Sequence, residues 1–187
     1  MTPALDRSPL VALAPGRRDA GGITFTDLTL ARRAGVKGPR TRQWLESMGF
    51  GPLPPPNFAV RSTSGALVVV LDESEALLLD AANKATLWSF GSGAAISPGV
   101  YPVPRGEGTF WVAISGRSAA DMFACVCGVD LRPSSFRNLQ VAQTIVAKAS
   151  AIIIRDDGLG DPGFHILGDI SFGPYLATQF LTAAQSV

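Results

Sequence analysis

Residues able to do acid/base, nucleophilic or metal chemistry are few here. His165 is the only histidine, and it stands between Phe164 and Ile166 in a stretch that reads as a strand. A catalytic triad needs a nucleophile and an orienting acid to converge on such a histidine, and no sequence signature supplies either. A structural or surface histidine is the expectation. Asp72, Glu73 and Glu75 cluster at one turn and Asp156, Asp157 and Asp161 at another. Neither group has the ligand order of a calcium loop, so both are read as solvated turn charge. Cys125 and Cys127 are the only cysteines, and one intervening residue is too short for the usual Cys-x-x-Cys redox or zinc arrangement. Both are read as buried thiols.

Nucleotide-binding devices are also missing from the sequence. The glycines form no Gly-x-Gly-x-x-Gly between a strand and a helix, and no Gly-Lys-Ser/Thr ending marks a phosphate loop. Arg32, Arg33, Lys37, Arg40 and Arg42 gather positive charge near the first helix start. That cluster suits an anionic partner or a polyglutamylated cofactor, but a solvated basic face is the simpler expectation.

The elements that must position these residues are set by composition and periodicity. The 187 residues carry 47% apolar side chains, enough for an independent core. Formal charge is +1, from 16 Lys plus Arg against 15 Asp plus Glu, so no field draws in nucleic acid or an anionic membrane. Only 17% of residues are charged and mean hydropathy is +0.25, a balance that suits a surface partly covered by another chain. No apolar run reaches bilayer-spanning length and no secretory signal opens the chain, so a cytoplasmic location is expected.

Residues 1–22 are rich in Pro and Gly and read as an extended arm. A first strand runs from Ile23 through Phe25, Leu28 and Leu30 to Gly35 and Val36, followed by a helix that Pro39 opens and Gly49 ends. The stiff connector Gly51–Asn57 leads to a hairpin, 58–62 with 66–71, and a further strand at 76–79. Asp80 or Asn83 is placed to cap a short helix through Phe90. After a loop-rich connector at 96–108 come a strand at 109–114, a helix over 118–126, strands at 141–147, 151–155 and 164–167, and a last helix near 172–184 with Pro174 in its first turn. The spans 23–95 and 109–187 repeat one plan, strand, small turn, helix, Gly, then strand, acidic turn, strand, Asp, helix. The expected fold is therefore α+β, two similar β-α-β-β-α-like units packed as one body.

Several short strings, in their order along the chain, resemble the gamma subunit family of heterotetrameric sarcosine oxidase. They are Arg7-Ser8-Pro9-Leu10, Gly35-Val36-Lys37-Gly38-Pro39, Pro55-Pro56-Asn57 and the strand pair Leu71 through Leu79. In the second repeat they are Ser115-Gly116, Cys127 through Pro133 with Phe136, Ala142-Gln143-Thr144, Ser171-Phe172 and Tyr175-Leu176. The sequence departs from that family at Ala76, where Trp is usual, and near Ala177 to Gln179, where aromatics are common, which widens the implied class to related N-methyl amino acid dehydrogenases.

The resemblance implies a fold similar to the folate-binding domain of glycine-cleavage aminomethyltransferases, and membership of a complex that oxidises sarcosine to glycine. It implies alpha, beta and delta partner subunits that carry FAD, FMN, NAD, tetrahydrofolate and zinc, with no cofactor and no catalytic residue in this chain. A second reading is a stand-alone folate-binding or aminomethyltransferase-like protein holding a pterin between its repeats. Glu75 and Asp130 are then the acids to offer it. A third is an assembly factor of the same fold, with Cys127 as its thiol.

Overall fold

Asp27 ends the first strand early. Its carboxylate accepts the Thr29 N–H at 2.9 Å, an Asx-type turn that redirects the backbone and leaves Leu30 on the surface. The single strand expected from Ile23 to Val36 is therefore two strands, and they enter different sheets. This emerges from a computed structural model that describes residues 8–13, 17–20, 22–82, 96–160 and 162–187.

In chain order the elements are β1 (Arg17–Ala20), β2 (Ile23–Asp27), β3 (Arg32–Lys37), α1 (Thr41–Leu45), β4 (Phe58–Arg61), β5 (Leu67–Asp72), β6 (Glu75–Asp80) and β7 (Tyr101–Val103). Then come β8 (Thr109–Ser115), α2 (Ala119–Ala124), β9 (Val141–Val146), β10 (Ala149–Arg155), β11 (Gly163–Asp169) and α3 (Gly173–Ala184). The protein is α+β, with a six-stranded sheet ordered β1-β2-β8-β11-β10-β9 and a five-stranded sheet ordered β4-β5-β6-β3-β7. All pairings are antiparallel.

Two compact units result. Ala31–Gly106 form one, and the described residues up to Leu30 join Glu107–Val187 in the other. The boundaries expected at residue 22 and within 96–108 are thus displaced, for a topological reason. Each sequence repeat gives its opening strand to the other repeat's sheet. β2 opens the first repeat yet lies beside β8, and β7 opens the second yet lies beside β3. With that exchange the two sheets share one order: β4-β5-β6-β3-β7 matches β9-β10-β11-β8-β2 strand for strand. The connector expected at 96–108 holds a strand because it is the start of a repeat.

The arm expected over 1–22 is also partly built into the fold. Val11–Leu13 make a short 3-10 turn, Leu10 and Leu13 are buried, and β1 pairs with β2. Asp80, offered as a helix cap, is the last residue of a strand and is buried. Asn83 and the helix expected through Phe90 lie outside the described residues.

Each sheet carries apolar residues toward its helices. In the larger unit Phe123 of α2 meets Phe164 of β11 and Phe180 of α3 edge-on, at centroid distances of 5.2 and 5.9 Å. They sit in a core with Phe25, Phe110, Ile114 and Leu176. Burying each such ring stabilises by roughly 1.5–3 kcal/mol. In the smaller unit Val36, Leu45, Phe50, Val68, Leu78 and Val100 make the corresponding cluster.

Glycines fix the turn from strand to helix in both repeats. Gly38 after β3 and Gly116 after β8 have φ of 139° and 138°. A Cβ on Gly38 would meet the carbonyl oxygen of Gly99, and one on Gly116 would lie 2.5 Å from the carbonyl oxygen of Gly22. Gly22 immediately precedes β2, and Gly99 stands two residues ahead of β7. Gly38→Ala and Gly116→Ala therefore combine left-handed strain with a backbone clash, and each is expected to lower stability by ~2 kcal/mol or more. Gly65→Ala, at φ 87° with nothing within 4 Å of its Cβ, provides the strain-only reference. Urea unfolding of the three variants should place Gly65→Ala well above the other two; equal losses would remove the role given to the close approach.

Candidate functional site

His165 lies on β11 and is buried between two partners. The Trp111 indole N–H of β8 donates to its Nδ1 at 3.0 Å, and its Nε2 is 3.1 Å from Asp156 Oδ2. An indole nitrogen can only donate, so Nδ1 is the acceptor; the ring is neutral and its Nε2–H donates to the carboxylate. Asp156 also accepts the Gly158 N–H at 3.0 Å, which caps the short turn after β10. The Asp–His half of a triad is present, but an indole stands where a nucleophile would have to be. Exposures of 4% for His165, 3% for Asp156 and 1% for Trp111 keep substrate away. The constellation is a buried polar lock; of the structural and surface placements open to the histidine in the sequence, the structure has the buried one.

Glu75 opens β6 and holds two cations. Lys37 Nζ is 3.0 Å from one carboxylate oxygen, and Arg105 donates to the other at 2.7 Å. Glu73 accepts from Arg42 Nε at 3.3 Å, while the other guanidinium nitrogens of Arg42 donate to the Leu53 and Pro54 carbonyls at 3.0 Å each. Arg33 is buried and donates to the Ala31, Arg105 and Gly106 carbonyls. Three of the five basic residues grouped in the sequence are thus engaged in the frame of the smaller unit, and Arg32 and Arg40 are exposed.

Asp130 is on the surface of the larger unit, in the loop after α2. Its carboxylate accepts from Arg132 Nε at 2.8 Å, Arg132 Nη2 at 2.6 Å and Ser135 Oγ at 2.8 Å, as well as the Arg132 backbone N–H at 3.1 Å. These bonds, the Arg132 side chain first, hold its pKa far below the usual carboxylate range. Asp157 forms a two-bonded pair with the buried Arg155, at 2.7 and 2.8 Å. Asp161 lies outside the described residues. Among the described residues no three His, Cys, Asp or Glu side chains form a group able to hold a metal ion. No described helix is long and apolar enough to cross a membrane.

The thiols differ from expectation. α2 ends at Ala124, sooner than the pattern over 118–126 suggests, so Cys125 falls at the helix end and is exposed, with Cys127 half-buried. Both line an open groove of about 620 Å³ with Val126, Ile145, Lys148, Tyr175 and Gln179. Apolar periodicity could not reveal this, because the helix stops two residues before its apolar pattern does.

Fold and site together define a duplicated α+β protein whose described acid/base residues are largely tied into its frame. No protein-family model matches the sequence, and no curated protein sequence matches it either. The fold has a close counterpart. A chain of the heterotetrameric sarcosine oxidase from Corynebacterium sp. U-96, solved in complex with pyrrole 2-carboxylate, superposes with a TM-score of 0.76 at 18% identity, covering 97% of this chain and 96% of that one. The likeness is one of fold, and it runs the length of both chains.

Two measurements test this geometry. His165→Phe removes the acceptor of the buried Trp111 N–H and one of the bonds to the Asp156 carboxylate, and should cost about 1–3 kcal/mol in denaturant unfolding; an unchanged midpoint would show that the lock is not made. The depressed Asp130 pKa means that its bonds stabilise the fold above the ordinary carboxylate value of 3.8 and are lost as pH falls through the lower folded value. By carboxyl NMR, Asp130 should titrate below 3.8, and Arg132→Ala should move the midpoint up toward it.

Proposed function

We propose that this chain is the small, gamma-type subunit of a heterotetrameric sarcosine oxidase-type complex, contributing contact surface and no reacting group. The observation that carries the proposal is the end-to-end fold match at TM-score 0.76, which includes 96% of the other chain, so the partners in the match are alike in extent as well as architecture. The ordered strings noted in the sequence add to it, and so does the finding that His165, Glu75 and Asp130 are each bound by neighbouring side chains.

Under this reading the two duplicated units take the form of the aminomethyltransferase folate-binding domain without its chemistry. FAD, FMN, NAD, tetrahydrofolate and zinc belong to the alpha, beta and delta chains. The low charge content leaves apolar surface for those chains to cover. Sarcosine, or a related N-methyl amino acid, is oxidised elsewhere in the complex, in the cytoplasm.

The test is recovery of the affinity-tagged chain from its native host, with mass spectrometry and an absorbance scan of the eluate. Large flavin-bearing subunits in stoichiometric amount are expected. A chain recovered alone and without flavin overturns the proposal; tetrahydrofolate binding to that isolated chain would then favour a stand-alone folate-binding protein, with Glu75 and Asp130 as the acids to replace.

A further inference from the structure

We infer that the groove between the end of α2, the β9–β10 hairpin and α3 is a docking site for an extended segment of a partner polypeptide, one that places an apolar side chain beside a carboxylate. The inference rests on the subunit reading and adds to it the face and the chemistry of one contact.

The groove carries exposed apolar side chains. Ile145 and Tyr175 line it with 54% and 42% of their surfaces open, and Ala124, Val126 and Ala147 complete its apolar wall. Phe172, 48% exposed, precedes Tyr175 by one helical turn and continues the stripe that ends at Gln179. Exposed aromatic and aliphatic groups gathered in this way mark contact surfaces.

Charge selects the occupant. Lys148 and Gln179 line the groove, and neither the Lys148 ammonium nor the Gln179 amide has a partner among the described residues. No Asp or Glu lines it. Unpaired donors beside an apolar wall, with no acid to answer them, complement a carboxylate attached to an apolar body. The groove's openness favours a polypeptide over a small molecule, since a small ligand gains its affinity by being largely enclosed.

The surface is also set in advance of binding. Ala147 and Lys148 both have left-handed backbone, with φ of 43° and 70°. They are held by the Ala147 N–H donating to the Val126 carbonyl at 2.7 Å and the Tyr175 hydroxyl donating to the Ala147 carbonyl at 2.9 Å. A Cys127–Val146 bridge closes the floor. A hairpin tip fixed in this way loses little further freedom on binding.

The test uses the complex recovered through the tagged full-length chain. Carbodiimide treatment, which joins an amine directly to a neighbouring carboxylate, should link Lys148 to an Asp, Glu or C-terminal carboxylate of a co-purified large subunit, flanked by apolar residues. Lys148→Gln should abolish that link. Ile145→Glu and Lys148→Glu, whose exposed positions leave the melting temperature within a few degrees, should reduce recovery of the large subunits at least tenfold. If the wild-type chain brings down the large subunits and both variants do so equally, this inference fails while the subunit reading stands. If Lys148 links to a second copy of this chain, the assigned occupant is wrong. If the wild-type chain brings down no partner, both readings fall together.

Discussion

The close approach of two backbones on which each sheet depends involves glycine on both sides. Gly38 and Gly116 turn the chain from strand into helix in a conformation that L-residues rarely adopt, and there each faces the carbonyl of the glycine ahead of an exchanged strand. The remaining bonds at these turns also correspond. The Gly38 N–H donates to the Ser74 carbonyl at 2.8 Å and the Gly116 N–H to the Pro162 carbonyl at 3.1 Å, in each case to the residue just before the strand that pairs with the turn's own. The helix that follows is aligned by Thr41 N–H on the Gly38 carbonyl and by Ala119 N–H on that of Gly116. One joint thus sets strand order, exchanged strand and helix start in both repeats.

A frame of this kind draws in the residues that could otherwise react. In the smaller unit Glu75 sits where β3, β6 and β7 meet, and its two cations come from the end of β3 and the residues just past β7. In the larger unit Asp156 and His165 join the turn after β10 to β11 and so to Trp111 of β8. Arg155 binds Asp157 while donating to the Pro133 and Phe136 carbonyls, which fixes the long loop ahead of β9. Buried or half-buried charges are tolerable only when paired, and here the pairing serves the topology.

Much of the secondary structure was legible in the sequence because it rests on local signals. Short apolar runs of strand length bounded by Gly, Ser and Asp give β4, β5, β8, β10 and β11, and Pro174 is correctly admitted to the first turn of α3. The duplication was visible too, as recurring turn types. Hidden from it was which sheet a strand joins, since β2 and β7 carry no mark of pairing outside their own repeats. The break at Asp27 depends on one carboxylate–amide bond within a run of strand-like residues. The burial of Leu10 and Leu13 depends on tertiary contact that a Pro-rich composition conceals. The site was the least legible part, because Cys125 and Tyr175 become surface features only through where α2 stops and how the hairpin turns.

The two repeats diverge most tellingly at one turn. In the smaller unit the β4–β5 hairpin closes over Ser62–Ala66, with glycine at its one left-handed position, Gly65. The corresponding β9–β10 turn is tight and contains no glycine; Ala147 and Lys148 both take the left-handed conformation. That choice costs about 1–2 kcal/mol per residue relative to a glycine turn. The offsetting bonds come from Val126 and Tyr175, residues that also line the groove. Duplicated parts begin alike, so a difference that costs stability in one copy alone points to a requirement that the other copy does not share. Here the requirement coincides with an exposed apolar surface of the larger unit, that of Ile145 and Tyr175, and Ala147 joins it to the core against which its own side chain packs.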